Sequence, residues 1–282
     1  MNTAAPIPSQ TSSPSTTPYR VATQLRQLAE RTLWVNFGPE PATGVHNFTP
    51  DLLAEFQQLI GDMKIPAGAA GRGVGLPPPY AVIQSSHPTY FSQGGDLRFF
   101  LSCIQRRDAE KLREYSMTCL DAIHAWSTSF KSDMTTISLV QGRALGGGFE
   151  LALSADYIIA EEQSDFGFPE IMFGLFPCTG AMSLLCERVS PRQAERMMTR
   201  KKMYKAGELL EMGIIDEVCK QGSGELAVER FIQQHASRRK SRMKMRQASH
   251  RRASLDYAEG RQVVNDWVEV AMQVGPDEIR GM

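Results

Sequence analysis

One stretch decides the fold, and it reads Val140-Gln-Gly-Arg-Ala-Leu-Gly-Gly-Gly-Phe-Glu-Leu-Ala-Leu-Ser-Ala-Asp156. An apolar strand runs through three successive glycines into an apolar helix. Glycine has no Cβ, so the backbone can turn tightly there and bring its amides close to a ligand. The free N–H groups at a helix start carry partial positive charge and can hold an oxyanion. The stretch therefore predicts a strand, a turn and a helix that together bind an anionic oxygen.

Glu150 follows the triple glycine, and its neighbours Phe149, Leu151, Ala152 and Leu153 are apolar. Burying a carboxylate costs several kcal/mol or raises its pKa, so a purely structural role would require a committed partner. The alternative is simple charge stabilisation at a helix N-terminus. Glu150 is therefore a candidate catalytic residue.

A second carboxylate lies in Asp165-Phe-Gly-Phe-Pro-Glu-Ile-Met-Phe-Gly-Leu-Phe-Pro177. Taken alone, Pro169 followed by Glu170 is an ordinary helix opening, with proline at the first helical position and an acid in the first turn. Together with Glu150, it allows a division of labour, because two carboxyls facing one substrate can act as general acid and general base. The pair predicts proton transfer on a carbonyl compound.

The rest of the chain alternates strand and helix patterns. Strands are predicted at 32–37, 80–84, 136–141, 155–160 and 214–218, and helices at 50–63, across 97–130 as one or two segments, and over most of the chain from residue 182 onward. This order predicts an α/β core with helices appended. The domain boundaries are a disordered tail at 1–20, the core at 21–220 and a C-terminal helical region at 221–282.

The glycine-rich segment 65–79 contains a Gly-x-Gly-x-Gly string, yet it lacks the preceding strand and following helix of a dinucleotide loop and leads into three prolines. It predicts a surface loop. The five histidines are too far apart for an i, i+4 metal pair, so no metal is expected.

Composition narrows the class of protein further. The 282 residues carry 31 basic and 31 acidic side chains, so global charge attracts neither nucleic acid nor an anionic membrane. The five cysteines form no Cys-x-x-Cys pair, which is typical of a reducing compartment. No signal peptide and no apolar run of membrane-spanning length is recognised, so we expect a cytoplasmic protein.

The quoted motifs resemble the crotonase (enoyl-CoA hydratase and isomerase) superfamily over about residues 30–220. The resemblance implies a spiral of ββα units with a C-terminal helical region that mediates trimers or dimers of trimers and covers the acyl pocket. It implies that Glu150 and Glu170 are catalytic. It also implies that Gly95, in Phe91-Ser-Gln-Gly-Gly-Asp96, and Gly147 form the oxyanion hole. Further residues are expected to bind substrate: Gly94, Leu145, Gly146, Cys178 and Trp267.

Finer detail is similar to the diffusible signal factor synthases within that superfamily. The residues concerned are Leu139 to Glu150, Phe166-Gly-Phe-Pro-Glu170, Gly174-Leu-Phe-Pro177, Tyr204 and Glu211-Met-Gly213. This resemblance implies dehydration of a 3-hydroxyacyl chain on acyl carrier protein to a cis-2-enoyl product, followed by thioester hydrolysis to a free fatty-acid signal. The phosphopantetheine of the carrier would hold the substrate and no separate cofactor is expected.

Two alternatives stay open. A conventional enoyl-CoA hydratase or isomerase would use the same glutamates with coenzyme A as the carrier. An interaction protein would bind acyl chains, or a regulatory sensor protein, without catalysis, although the retained pair of glutamates argues against it.

Two positions could either build the pocket or simply pack. Cys178 stands where the superfamily commonly has glycine, and it is either a pocket residue or a buried inert thiol. Trp267, on an amphipathic C-terminal helix, either lines the acyl pocket or packs in the core.

Two basic clusters could receive an acidic carrier protein. They comprise Arg238, Arg239, Lys240, Arg242, Lys244, Arg246, Arg251 and Arg252 in one segment, and Arg196, Arg200, Lys201, Lys202 and Lys205 in the other. Solvated helix faces are the alternative explanation, and the lack of interleaved aromatic residues disfavours nucleic acid.

Overall fold

Strands and helices alternate along the chain, for which the computed structural model describes residues 20–38, 44, 46–63, 78–129, 133–252 and 254–281. The strands in these ranges are β1 (Val21–Gln27), β2 (Arg31–Phe37), β3 (Tyr80–Ser85), β4 (Tyr90–Ser92), β5 (Thr135–Val140), β6 (Arg143–Leu145), β7 (Tyr157–Glu161), β8 (Asp165–Gly167), β9 (Tyr204–Lys205) and β10 (Glu217–Cys219). The helices are α1 (Pro50–Met63), α2 (Leu97–Gln105), α3 (Ala109–Ser129), α4 (Gly147–Leu153), α5 (Ala181–Cys186), α6 (Pro191–Thr199), α7 (Ala206–Glu211), α8 (Gly224–Ala236), α9 (Arg239–Arg252), α10 (Tyr257–Ala271) and α11 (Pro276–Gly281). A 3₁₀ turn, Glu170–Phe173, follows β8.

The larger sheet has six strands in the order β1-β2-β3-β5-β7-β10. Only β1 pairs antiparallel with its neighbour, and the remaining pairs are parallel. Every residue of β3 and β5 is buried, because helices cover both faces of the sheet. Side chains alternate between the faces, so that Ile137 and Leu139 pack under α8 while Val140 packs in the larger core on the other side.

The smaller sheet positions the segments that form the candidate site. Its order is β4-β6-β8-β9, and β4, β6 and β8 run parallel. Each of these short strands follows a strand of the larger sheet, namely β3, β5 and β7, and leads into a helix or a 3₁₀ turn. This repetition is the predicted succession of ββα units. Since parallel strands end at a common edge, the segments after β4, β6 and β8 converge there.

The main elements match the sequence predictions closely. The predicted helix at 50–63 is α1, and the predicted strands at 32–37, 80–84 and 136–141 are β2, β3 and β5 within one residue at each end. The region 97–130 forms two helices, α2 and α3. Arg107 adopts a positive φ of 55° between them, and the Asp108 carboxylate accepts from the Lys111 N–H to start α3.

Other boundaries were wrong. The strand predicted at 155–160 begins at Tyr157, because Asp156 turns its carboxylate back to the Thr136 N–H. The strand predicted at 214–218 is reduced to Glu217–Cys219, since Ile214 and Ile215 are buried in the turn that follows α7. Five strands were missed: β1, whose pattern is mostly exposed, and the short strands β4, β6, β8 and β9.

A C-terminal helical region is present as α8 to α11. In α10, Gly260 allows close packing on α3, since a Cβ there would lie 2.9 Å from Leu120 Cδ1. Nearly all of the predicted tail 1–20 and of the predicted loop 65–79 lies outside the described residues. The domain boundaries and their assignment to oligomerisation stay predictions.

Candidate active site

The segments after β4, β6 and β8 surround a small cavity of about 40 Å³. Gly95 follows β4, Gly147 and Glu150 follow β6, and Glu170 follows β8, so each ββα unit contributes one part of the wall. Helices α3 and α10 and the segment before α5 close the remainder. The lining residues are Phe48, Gly95, Phe100, Tyr115, Ser116, Cys119, Gly147, Glu150, Glu170, Phe176, Cys178, Thr179 and Trp267.

Two backbone amides in this wall are free to bind an oxygen. Among the described residues, neither the Gly95 N–H nor the Gly147 N–H donates to a backbone acceptor, and Gly147 opens helix α4. The two glycine segments touch, since a Cβ at Gly94 would lie 2.7 Å from the Gly147 nitrogen. The arrangement has the donors that an oxyanion hole needs, and that role, which the resemblance implies for Gly95 and Gly147, stays a prediction.

Glu150 is 2% exposed and is held by three hydrogen bonds. The Thr179 N–H and the Ala181 N–H donate to Oε1, each at 2.8 Å, and the Thr179 hydroxyl donates to Oε2 at 2.5 Å. Burial raises the pKa of Glu150, while these three donors oppose the rise because they bind the charged form. The apolar neighbours predicted this desolvation, but not the partners.

Glu170 has a contrasting environment. It opens the 3₁₀ turn after Pro169, rather than the α-helix that the Pro-Glu pair predicted. Its Oε2 is buried and has no hydrogen-bond partner among the described residues. Burial, with the nearby charge of Glu150 as a second cause, raises the pKa of Glu170 to about 8. The environment of Glu170 therefore favours its protonated form.

The predicted substrate-binding residues divide into two groups. Cys178 and Trp267 line the cavity. Trp267 also packs in the core, with its ring 5.1 Å from that of Phe100, so this residue both lines the cavity and contributes to the core. Burial and the charge of Glu150 raise the pKa of Cys178 well above its usual range, which keeps it a thiol.

The other three lie behind the wall rather than in it. Leu145 ends β6, Gly94 packs on the start of α4, and Gly146 lies under Glu170, with a Cβ position 2.3 Å from Glu170 Oε1. Positive φ values at Gly94 (79°) and Gly146 (51°) favour glycine at both positions. Their direct contact with substrate stays a prediction.

Several residues of the wall were missed at the sequence level. Thr179 binds Glu150, although a hydroxyl residue shortly before a helix is typical of an N-cap. Tyr115, Ser116 and Cys119 come from one face of α3, and the Ser116 hydroxyl is buried without a described partner. A polar residue on the buried face of a helix was the available signal.

The two basic clusters are used differently. In α9, the Arg239 guanidinium lies over the Tyr80 ring and Arg246 lies over the Tyr157 ring, 3.6 Å from the Asp156 carboxylate. Much of that positive charge therefore faces the protein. In the other cluster, Lys202 pairs with Glu208 and Lys205 with Asp165. Three of its members are exposed and form no ion pair with another described residue: Arg196, Arg200 and Lys201.

Within the described residues, no helix is long and apolar enough to cross a membrane. The same part of the chain holds no group of three or more His, Cys, Asp or Glu side chains placed to bind a metal ion.

Curated relatives share part of this chain. The peroxisomal bifunctional enzyme of Danio rerio is 30% identical over 158 residues, which are 56% of this chain and 20% of that protein. The carnitinyl-CoA dehydratase of Salmonella paratyphi A is 37% identical over 92 residues, which are 33% of this chain and 35% of that enzyme. The matches therefore span about a fifth to a third of the length of these relatives.

Solved structures share the whole architecture. DspI of Pseudomonas aeruginosa is 25% identical, with a TM-score of 0.64 over 80% of this chain and 78% of that one. The enoyl-CoA hydratase of Bacillus halodurans is 19% identical and has the same fold, with a TM-score of 0.73 over 94% of this chain and 100% of that one. The family model described as enoyl-CoA hydratase/isomerase matches residues 79–269, which is more than half of the chain. The chain therefore belongs to the enoyl-CoA hydratase/isomerase family.

Proposed function

We propose that this chain makes a cis-2-unsaturated fatty acid by dehydrating a 3-hydroxyacyl thioester and then hydrolysing the thioester. The observation that carries the proposal is the pair of Glu150 and Glu170 beside two free amides. Glu150 is buried and bound by three donors, whereas Glu170 is half-buried and its buried Oε2 has no partner among the described residues. One carboxylate, one carboxylic acid and an oxyanion hole are the groups that both reactions need.

The choice of this branch rests on two supports. The motifs around Glu150 and Glu170 resemble those of the diffusible signal factor synthases. Among the structural neighbours is DspI of Pseudomonas aeruginosa, at 25% identity over 80% of this chain. The released fatty acid would then act as a quorum-sensing signal.

In the elimination step, the thioester oxygen accepts hydrogen bonds from the Gly95 and Gly147 amides, which stabilise the enolate. Glu150, the carboxylate, accepts the α-proton. Glu170, the carboxylic acid, donates its proton to the 3-hydroxyl as the carbon–oxygen bond breaks, so water leaves and the 2,3 double bond forms. After this step the proton is on Glu150 and Glu170 is ionised.

With Glu150 protonated and Glu170 ionised, the pair has the proton donor and the proton acceptor that thioester hydrolysis requires. Glu170 accepts a proton from water as its oxygen attacks the thioester carbon, and the same two amides hold the tetrahedral oxyanion. Glu150 donates its proton to the departing thiolate as the carbon–sulfur bond breaks. The free acid and the carrier thiol are released, and the pair returns to its starting protonation state. Two steps in one cavity therefore complete a proton cycle.

We also propose acyl carrier protein as the carrier, with the substrate on its phosphopantetheine arm and no other cofactor. Such carriers are acidic, and Arg196, Arg200 and Lys201 are exposed cations of this chain. A homotrimer or dimer of trimers, and contact with a regulatory sensor protein, follow from the resemblance and are proposed on that basis alone.

A second candidate is a conventional enoyl-CoA hydratase or isomerase. The family model that matches this chain carries that description, and several structural neighbours are named as enoyl-CoA hydratases. The same two glutamates and two amides would add water to a trans-2-enoyl-CoA.

The test gives purified protein a 3-hydroxyacyl carrier protein and the matching 3-hydroxyacyl-CoA, with mass spectrometry of the products. We expect cis-2-enoic free acid, formed faster from the carrier-bound substrate. We expect Glu150→Gln and Glu170→Gln each to lower acid release by about 10² or more. Hydration of trans-2-enoyl-CoA without acid release would identify the second candidate. Unchanged acid release in both variants would show that the catalytic assignment of the two glutamates is wrong, and absence of product from either substrate would favour a binding role.

A further inference from the structure

Thr179 contacts Glu150 through both its backbone and its side chain. Its backbone N–H donates to Oε1 at 2.8 Å and its hydroxyl donates to Oε2 at 2.5 Å, so one residue contacts both oxygens of the carboxylate. Thr179 is 5% exposed and Glu150 is 2% exposed, so water does not replace these bonds. The contact joins the segment before α5 to α4 across the cavity.

The third donor shows why the hydroxyl matters. The Thr179 and Ala181 amides both donate to Oε1, so they leave Oε2 to the threonine hydroxyl. A carboxylate inside an apolar wall takes up a proton unless donors bind its charged form. Side chains without a hydroxyl would leave Oε2 without a partner, which is the condition of Glu170 Oε2.

We propose that Thr179 is a positioning residue that fixes the orientation of Glu150 and keeps it ionised, and so makes it the proton acceptor of the pair. The proposal rests on the proposed function only in taking Glu150 as a reacting group. If Glu150 is a reacting group, the Thr179 hydroxyl determines that Glu150, rather than Glu170, is ionised when the reaction begins.

The test compares Thr179→Val, which replaces the hydroxyl by a methyl group of similar size, with Thr179→Ser, which keeps the hydroxyl. The readout is kcat and KM across pH, for acid release from 3-hydroxyacyl carrier protein and for dehydration of 3-hydroxyacyl-CoA, since Glu150 starts as the proton acceptor in both reactions. A hydrogen bond to a charged group corresponds to about one to two pH units. We expect Thr179→Val to move the acidic limb of the rate profile upward by about one pH unit or more. We expect kcat to fall about tenfold or more, and Thr179→Ser to restore both.

A matched control lies outside the cavity. Thr136 is 4% exposed, and its hydroxyl is 3.2 Å from the carboxylate of Asp156, which is also buried. Thr136→Val therefore removes the same kind of contact from a carboxylate that the mechanism does not use. It should lower the midpoint of thermal unfolding and leave the acidic limb in place.

The outcomes distinguish failure of the role of Thr179 from failure of the proposed function. If Glu150→Gln inactivates the protein while folded Thr179→Val keeps the profile of the unmodified chain, the role of Thr179 is wrong and the proposed function stands. If Glu150→Gln is fully active, the proposed function fails first. A shifted profile in Thr136→Val would show that any buried threonine has this effect, and would also overturn the proposal. Should Thr179→Val not fold, Thr179→Ala with the same readout takes its place.

Discussion

At the scale of single residues, Glu150 and Glu170 show how environment separates two identical side chains. Three donors bind Glu150, whereas Glu170 Oε2 has no described partner and its pKa rises to about 8 through burial and the charge of Glu150. The charge of Glu150 adds to the effect of burial and further favours the protonated form of Glu170. The difference in partners, rather than in residue type, therefore distinguishes the two carboxyl groups.

The raised pKa of Glu170 makes stability depend on pH. Its folded pKa of about 8 lies above the ordinary value of 4.5, so the native state holds a proton that the unfolded chain loses between these values. The contribution of Glu170 to stability therefore falls as pH rises through that window. We expect Glu170→Gln to be more stable than the unmodified chain at pH 8, by a few kcal/mol, with a smaller difference at pH 5.

Urea unfolding at the two pH values checks this prediction. Glu114→Gln, at an exposed position of α3, is the control and should change stability little at either pH. A variant Glu170→Gln that is less stable than the unmodified chain at pH 8 would show that Glu170 has an unrecognised partner.

At the scale of elements, the short parallel strands of the smaller sheet bring the two glutamates and the two glycine amides together. The turn between β6 and α4 leaves no space for a side chain, because Gly146 has a φ of 51° and lies under Glu170. Glycine at this position is required twice, by the backbone conformation and by the space that the carboxyl group occupies.

Gly146→Ala should displace Glu170, since the added Cβ would lie 2.3 Å from Oε1. We expect kcat to fall by about 10² or more, because a small misplacement of a reacting group is costly in rate. Steady-state kinetics of acid release or enoyl-CoA hydration checks this. The matched control is Gly207→Ala in α7, where nothing lies within 4 Å of the new methyl group. It should keep full activity and gain about 0.5–1 kcal/mol of stability.

The basic helix α9 is attached to the core through Asp156. The carboxylate accepts from the Thr136 N–H at 2.9 Å and lies 3.2 Å from His250 Nε2 and 3.6 Å from Arg246 Nε. Burial alone would raise the pKa of Asp156, but His250, Arg246 and Thr136 outweigh it and lower the pKa below its ordinary 3.8. Asp156 therefore stabilises the fold above that pH and loses this contribution as pH falls further.

Asp156→Asn should lower the free energy of unfolding by about 3–5 kcal/mol at pH 7, because it removes the buried carboxylate that Arg246 and His250 contact. The difference from the unmodified chain should shrink below pH 4. Urea unfolding measures both effects, and hydrogen exchange should show faster opening of α9 than of α1. Asp62→Asn, at an exposed position of α1, should have neither effect. Equal stability of Asp156→Asn and the unmodified chain would contradict the attachment of α9 through this carboxylate.

At the scale of the whole molecule, a formal charge of zero conceals an uneven surface. Several arginines of α9 face the protein, whereas Arg196, Arg200 and Lys201 are exposed. These three residues precede Met203, whose sulfur lies 2.6 Å from the Cβ position of Gly167, shortly before Glu170 in the chain. An acidic carrier docked on them would be near the catalytic turn.

Reversing these charges together (Arg196→Glu, Arg200→Glu, Lys201→Glu) should raise KM for 3-hydroxyacyl carrier protein about tenfold or more. KM for the uncharged pantetheine thioester of the same acid should not change, and the effect should weaken at high salt. The comparison variant reverses Lys240 and Lys244 on the exposed side of α9. A larger rise in KM for that variant would place the carrier on α9 instead.

The sequence by itself determined the α/β class, the ββα succession through its resemblance, and the positions of Glu150, Glu170, Gly95 and Gly147. These features are local: a run of glycines before a helix, or an acid among apolar neighbours, is visible in a few consecutive residues. Helix α1 and the buried strands β2, β3 and β5 were predictable for the same reason. The short strands of the smaller sheet were not, because three residues carry too little periodicity to be recognised.

The tertiary structure alone decided which carboxylate has partners. Thr179 is 29 residues from Glu150 along the chain, and Ser116 and Cys119 reach the cavity from a different helix. It also turned Arg239 and Arg246, two of the eight cations in one basic cluster, inward over Tyr80 and Tyr157. Such contacts depend on which elements pack together, and the packing is set by burial of the whole core rather than by neighbouring residues. The kind of chemistry is therefore readable in short motifs, while the division of labour between the two glutamates depends on the folded chain.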